Sequence, residues 1–323
     1  MTETMMEHSS GSSLWKGYII AAIAEITYGM NPLFAVPLYE NDGMNPDSVV
    51  FFRYIMALPI IAAMVIMRGR RLAIPRYAIV PAIILGLLMA LSSLTLFLSY
   101  KYMNAGIAST LLFIYPIIVA LIMVIFFKER ISARLICCII VSLVGIALLY
   151  KGPDGATLDT MGTIFVVISA LSYAVYLVGI NHRRMAGIPI LPLTFFMLLF
   201  GTLLFVGRLA AGVELTTPKV WYHWGNLIGL AVFPTAISFI CTTRAIQIIG
   251  PMPTAILGAL EPASAIFFGV TILGQGITSR DFLGLILIVA AVTTVIAGSH
   301  VTTVLLRVRK MFPRLPFNIF KRH

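Results

Sequence analysis

Residues 106–134 read GIASTLLFIYPIIVALIMVIFFKERISAR, and residues 252–280 read MPTAILGALEPASAIFFGVTILGQGITSR. The two stretches align without a gap at an offset of 146 residues, so that Pro116 falls on Pro262 and Glu129 on Gln275. Both end on Ile, then Ser or Thr, then any residue, then Arg. Apolar matches are common between membrane helices, but the proline, the polar position and this ending are less so. The chain therefore contains an internal repeat.

The repeat continues towards the N-terminus at an offset of 145 residues, where Tyr28 falls on Tyr173. A membrane-crossing helix needs about 20 apolar residues, and ten runs qualify, five in each half. Because five is odd, the second half must enter the membrane from the opposite side. Such inverted repeats are typical of secondary transporters that hold their substrate near the bilayer midplane. The predicted spans are 17–38, 47–67, 77–100, 106–127, 134–150, 161–180, 190–211, 223–247, 252–273 and 281–299.

Composition supports an all-α integral membrane fold. Hydrophobic residues make up 60% of the 323 residues and charged residues 11%, against roughly 45–50% and 25% in soluble proteins. The net charge is +11, but Lys and Arg are spread over short segments between apolar runs, so we predict no nucleic-acid partner. The predicted domains are the first five-helix repeat at 17–150, an external linker at 151–160 and the second repeat at 161–299.

The distribution of Lys and Arg also predicts orientation, because cytoplasmic segments carry an excess of both. If the N-terminus is inside, the inner segments hold Arg68, Arg70 and Arg71, and the C-terminal tail adds Arg307, Arg309 and Lys310, among others. We predict a multi-pass protein of the bacterial inner membrane, with a polar cytoplasmic N-terminus at 1–16 and a basic cytoplasmic tail at 300–323. The tail is either solvated or lies on anionic lipid headgroups.

Four motifs carry a resemblance to a known family. They are Arg53, the run Ala105-Gly106-Ile107-Ala108-Ser109, Pro116 followed by Glu129, and Ala255 to Pro262 followed by Gln275. With these motifs the chain resembles the drug/metabolite transporter superfamily, specifically its ten-helix EamA-type exporters, from Trp15 to about Ser299. The family usually has Glu where Gln275 stands. The resemblance implies two inverted five-helix repeats around a central cavity and export of small solutes such as amino acids or their analogues.

Two acidic residues lie deep within predicted spans. Glu25 and Glu261 each fall roughly 12–14 Å from the cytoplasmic side at 1.5 Å per residue, so both could share one depth in the cavity. Ionisable groups inside a membrane are rare and often functional. Burial disfavours the charged carboxylate, so a proton could be the coupling ion. The alternative is that each is a neutral or paired structural group.

Two arginines are further candidates. Arg53 lies roughly 10 Å deep, where it could bind a substrate carboxylate in a bidentate manner or form a fixed ion pair that joins two helices. Arg244 lies near the inner end of its span and could instead extend its side chain to the membrane surface.

Polar and aromatic residues in the first helix of each half complete the candidate cavity. Asn31 precedes Pro32, which should bend the helix and free a carbonyl group. The pseudo-symmetric Tyr28 and Tyr173 could stack on or hydrogen-bond a substrate, or join helices. Ser172 and Tyr115 are the remaining candidates.

Other classes of protein lack support in the sequence. There is no nucleotide-binding GxxxxGK[ST] motif, no HExxH and no GxSxG with plausible partners. We therefore predict no enzyme activity, no catalytic residues, no metal and no cofactor. The main hypothesis is export of small polar or amphiphilic metabolites by alternating access. Uptake, or flipping of a lipid-linked solute, is the alternative, and an intramembrane enzyme is a distant one.

Overall fold

The computed structural model describes residues 2–103, 108, 111–128, 131–149, 159–182, 185, 187–272, 279–280 and 282–295. Several predictions lie outside these residues: most of the external linker, the basic tail, Glu129, Gln275 and most of the run at 105–109. Every regular element among the described residues is a helix. The all-α prediction is confirmed to that extent. Helices are expected here because a chain in lipid must satisfy its backbone hydrogen bonds within each segment.

Six helices come from the first half of the chain. They are α1 (Thr2–Tyr28), α2 (Asn31–Glu40), α3 (Pro46–Met67), α4 (Arg76–Ser99), α5 (Tyr115–Phe127) and α6 (Ala133–Leu149).

The second half contributes shorter pieces as well as long helices. They are α7 (Thr160–Ile180), α8 (Ile190–Ala210), α9 (His223–Ala231), a π-helical turn (Val232–Ile237), α10 (Ser238–Ile249), α11 (Pro251–Leu257), α12 (Leu260–Thr271) and α13 (Phe282–Val295).

Six described segments are long and apolar enough to cross a membrane. Three further predicted spans coincide with shorter apolar helices, and the predicted span at 252–273 contains α11 and α12. The fold is therefore that of a helical membrane protein, while the count of ten crossings and the inverted relation of the halves stay predictions. The six segments are Leu14–Tyr39, Pro46–Met67, Arg76–Ser99, Thr160–Ile180, Ile190–Ala210 and His223–Ile249.

Polar caps start two of the long helices. The Asn45 side chain accepts a hydrogen bond from the Ser48 amide at 2.8 Å at the start of α3, and Asp159 accepts one from the Gly162 amide at 2.8 Å at the start of α7. Each cap satisfies one of the amide groups that a helix start leaves without a partner.

Helices of the two halves pack against each other. The helix α1 lies along α10, and α4 lies between α7 and α8. Gly86 of α4 allows a close approach to the backbone of α8, since a Cβ there would lie 2.2 Å from the Met197 carbonyl oxygen. Small residues at helix crossings let backbones approach in this way within membranes. The core of the protein therefore forms between the halves rather than within each one.

Candidate functional site

The first predicted span is broken in its middle. The helix α1 ends at Tyr28 and α2 begins at Asn31, with Pro32 in its first turn. Proline has no N–H group to donate to the carbonyl four residues earlier, which here belongs to Tyr28. The break expected from Asn31-Pro32 is therefore present, and it falls just before the proline.

This break lies directly against α12 of the second half. A Cβ at Gly29 would come within 1.9 Å of the Ser264 hydroxyl oxygen and 2.5 Å of the Glu261 carbonyl oxygen. Only glycine fits such a contact without displacing backbone. The contact brings the segment that carries Glu25 and Tyr28 next to the first turn of α12, which carries Glu261.

A second break separates α11 from α12 at Gly258 and Ala259. A Cβ at Gly258 would lie 1.5 Å from the hydroxyl oxygen of Tyr115, the first residue of α5. That hydroxyl is buried and has no hydrogen-bond partner among the described residues. The Tyr115 ring meets Tyr173 edge-on at 4.9 Å, and Tyr173 stacks on Tyr176 at 6.0 Å. Three tyrosines from α5 and α7 thus form one wall beside the break.

Arg53 of α3 lies at the centre of this region and is fully buried. Its guanidinium group donates to the Asn31 side-chain oxygen at 3.1 Å, the Thr235 hydroxyl at 2.5 Å and the Pro234 carbonyl at 2.9 Å. Arg53 thereby ties α2 and α3 of the first half to the π-helical turn of the second.

Three aromatic rings surround the Arg53 guanidinium group. The centroids of Tyr28, Phe97 and Phe239 lie 5.3, 5.8 and 5.7 Å from its central carbon, distances at which the ring faces attract a cation. No carboxylate among the described residues lies within ion-pair distance of Arg53. The neutral acceptors and the rings therefore make all the described direct contacts of this buried charge.

The π-helical turn makes these acceptors available. Pro234 cannot donate to the carbonyl of Leu230, four residues earlier, and the Thr235 hydroxyl donates to it instead at 2.7 Å. The same hydroxyl oxygen accepts the Arg53 hydrogen bond. Single π-helical turns within helices are frequent at functional sites.

The two acids lie close enough to interact electrostatically. Glu25 is buried and Glu261 half-buried, and Glu261 also lies within the electrostatic range of Arg53. No hydrogen bond or ion pair joins either carboxylate to another residue in the described part of the chain. Two acids and one base thus share the region, with the acids left available for a proton or a solute.

The structure brings seven of the nine predicted site residues together. No described contact joins the remaining two to the cluster: Ser172 is buried on α7 beside Tyr173, and Arg244 is exposed on α10. Sequence reasoning missed Pro234 and Thr235, although a proline inside the apolar run at 223–247 was a usable signal. The seven are Glu25, Tyr28, Asn31, Arg53, Tyr115, Tyr173 and Glu261.

Comparison with known proteins agrees with this architecture. The sequence profile of the EamA-like transporter family matches residues 15–151 and again residues 160–297. The chain belongs to the EamA-like transporter family. The suspected resemblance is thereby confirmed.

Curated relatives extend over most of the chain. An uncharacterized inner membrane transporter of Salmonella typhimurium, YicL, is 25% identical, covering 88% of this chain and 96% of the relative. An uncharacterized transporter of Clostridium kluyveri is 22% identical, with coverages of 85% and 91%. A solved crystal structure has the same fold, with a TM-score of 0.73 over 90% of this chain and 98% of its own, at 16% identity. The EamA-like protein described here is a multi-pass membrane transporter for a small-molecule substrate.

Proposed function

We propose that this protein is a secondary transporter that exports small polar or amphiphilic metabolites, with amino acids or their analogues favoured. It would work by alternating access in the inner membrane, with both termini in the cytoplasm. The observation that carries the proposal is the meeting of helix breaks from both halves around Arg53, Glu25 and Glu261. Broken helices at the interface of two repeats are where secondary transporters bind their substrates.

The division into repeats at 17–150 and 161–299 has independent support. One family profile matches the chain twice, once in each half. At the offset of 146 residues, Tyr115 corresponds to Glu261, and both residues stand at the start of a helix that follows a short turn. These matched helix starts are what an internal repeat predicts.

The chemistry of the cluster suits a small zwitterion. The three described hydrogen bonds of Arg53 use three of the five N–H groups that an arginine carries. The other two could bind a carboxylate of the solute, and the carboxylates of Glu25 and Glu261 could receive its ammonium group. The tyrosine wall offers apolar surface with polar tips. A solute with an amine, a carboxylate and some apolar surface would match all three features.

Protons are the proposed coupling ion. Burial in a low-dielectric site disfavours a charged carboxyl group, and Glu25 and Glu261 lack a fixed hydrogen-bond partner among the described residues. Each could therefore take up a proton in one conformation and release it in the other, which would link the movement of protons to that of the solute.

The test compares metabolites in the medium of cells that express the intact protein, its Glu261→Gln variant or an empty vector. We expect a small set of compounds to be enriched only with the intact protein, because the variant keeps the size of the side chain but cannot ionise. The Arg244→Gln variant is the matched control, since Arg244 lies apart from the cluster, and it should export normally.

The amount of protein in the membrane is measured for every variant. Export by Glu261→Gln at the wild-type rate would remove Glu261 from the mechanism. No enrichment with the intact protein would contradict export, and depletion of a compound from the medium would indicate uptake.

A further inference from the structure

The loop between α2 and α3 is bonded to the region between α8 and α9 by several polar contacts. Asp42 and His223 form a hydrogen-bonded pair at 2.7 Å, with side chains 1% and 5% exposed. Asp47 forms an ion pair with Arg208. These contacts join the first half of the chain to the second, and they lie at the predicted outer side. We call them, with the Asn45 bonds described next, the outer clasp.

Backbone groups strengthen the outer clasp. Asn45 donates from its side chain to the Glu214 carbonyl at 2.7 Å and from its amide to the Thr216 hydroxyl at 3.0 Å. The Thr216 amide donates to the Ser48 hydroxyl at 2.8 Å. The first turn of α3 and the loop before α9 therefore hold each other in a defined register.

Two of the helices that end at the outer clasp, α2 and α9, are each separated from the rest of their span by a break. The break at 29–30 separates α2 from α1, and the π-helical turn at 232–237 separates α9 from α10. An acceptor of Arg53 stands at each break: Asn31 directly follows the break at 29–30, and Thr235 lies within the π-helical turn. The outer clasp and Arg53 thus bound α2 and α9 at opposite ends.

Contact between α2 and α9 closes the space between the outer clasp and Arg53. The Phe34 ring stacks on Phe233 at 5.9 Å, and a Cβ at Gly229 would lie 2.6 Å from the Phe34 ring. Leu227, one turn along α9 from His223, is fully buried. These contacts pack the two helices directly against each other between the outer clasp and Arg53.

We propose that α2 and α9 are the outer gate of the transport pathway, that breaking the outer clasp opens it, and that the breaks at 29–30 and 232–237 are its hinges. The proposal rests on the proposed alternating access. Transporters of this kind open by moving one repeat against the other about a fixed site. Hinges are a few residues at the ends of helices that absorb the change in backbone angles.

The Asp42–His223 pair should dominate the strength of the outer clasp. The second carboxylate oxygen of Asp42 is buried without a partner among the described residues, so His223 is the main compensation for the charge of Asp42. Removing either side chain's hydrogen-bonding group loses the same contact, and losing both should cost little more than losing one.

The test measures access to a single cysteine at position 227. In a background with Cys137, Cys138 and Cys241 replaced by serine, Leu227→Cys is labelled with a membrane-impermeant maleimide on intact cells. We expect Asp42→Ala and His223→Ala, which each remove the hydrogen-bonding group, to raise the labelling rate about tenfold, which corresponds to about 1.4 kcal/mol. The double variant should label no more than about twofold faster than either single variant.

Two controls separate gate opening from unfolding. Glu214→Gln changes a charge in the same loop but keeps the carbonyl that accepts from Asn45, so its labelling rate should stay at the starting value. Ile180, the last residue of α7, is buried and lies away from the outer clasp. A cysteine at position 180 should stay protected from the maleimide in opened membranes for every variant. Increased labelling at both positions 227 and 180 would show general loss of structure and would overturn the gate.

Unchanged labelling of position 227 in the outer clasp variants would also overturn the gate. That result leaves the export proposal standing, because no solute is used in the labelling experiment. If the comparison of metabolites in the medium shows no export, a positive labelling result would still show that α2 and α9 move apart.

Discussion

Replacing Thr235 by valine should destabilise the protein strongly, although the substitution only exchanges a hydroxyl group for a methyl group. The hydroxyl donates to the Leu230 carbonyl at 2.7 Å and accepts from the Arg53 guanidinium at 2.5 Å. Valine has nearly the same shape, so no cavity forms. The loss is confined to the hydrogen bonds, and it leaves two buried polar groups without that partner.

The size of the effect follows from those two groups. A buried donor or acceptor left unsatisfied costs about 1–3 kcal/mol, and a charged one costs more. The sum for Leu230 and Arg53 is about 2–5 kcal/mol. For a chain of this length, 1 kcal/mol shifts the melting temperature by about 2 °C, so we expect a decrease of about 4–10 °C.

The measurement is thermal unfolding of the purified protein in detergent, followed by intrinsic fluorescence. Thr235→Ser keeps the hydroxyl and should melt within about 2 °C of the wild type. Thr202→Val is the matched control, because Thr202 is also buried and its described hydrogen bond is a donation to the Leu198 carbonyl of its own helix. That carbonyl is also within reach of the main-chain amide four residues later, so the control should lose less than about 1 kcal/mol.

The reasoning fails if Thr235→Val and Thr202→Val melt at the same temperature. The interaction of Arg53 with the π-helical turn would then contribute nothing to the association of the halves. A Thr235→Ser variant as unstable as Thr235→Val would mean that the methyl group, and not the hydroxyl, matters at this position.

Two further predictions concern the glycines at the helix breaks, and both are measured by the same thermal unfolding. Gly258→Ala should destabilise the protein, because its Cβ would meet the Tyr115 hydroxyl at 1.5 Å, and adding Tyr115→Phe should restore part of the loss by removing that oxygen. An unrelieved loss in the double variant would contradict the contact. Gly29→Ala should be at least as damaging, since backbone of α12 lies 2.5 Å from the new Cβ and cannot rotate away, whereas Gly207→Ala, with nothing within 4 Å, should change the melting temperature by less than about 2 °C. Equal melting temperatures for these two variants would refute the close packing of α1 on α12.

Helix content and the approximate positions of the spans follow from the sequence because lipid tolerates few backbone arrangements. Counting residues along the helices also predicts a shared depth for Glu25 and Glu261. In the structure the two acids lie close enough to interact electrostatically, while their depth in a membrane stays a prediction. The partners of Arg53 could not, because hydropathy does not determine the rotation of a helix about its own axis. An ion pair was one expectation for Arg53, and the structure has Asn31, Thr235 and the Pro234 carbonyl instead.

The differences between the halves explain why the site is asymmetric. At the offset of 145 residues, Gly29 and Pro32 correspond to Ala174 and Leu177, and α7 accordingly runs without a break from Thr160 to Ile180. The second half has its own break instead, at the π-helical turn that contains Pro234.

Tyr115 and Glu261 occupy corresponding positions, so one half contributes a tyrosine where the other contributes an acid. A symmetric pair of repeats would present the same groups twice, whereas these substitutions bring one arginine, two carboxylates and the tyrosine wall into a single asymmetric site. Under the proposed function, such a site would bind the two ends of a zwitterion differently, which the binding of a simple ion does not require.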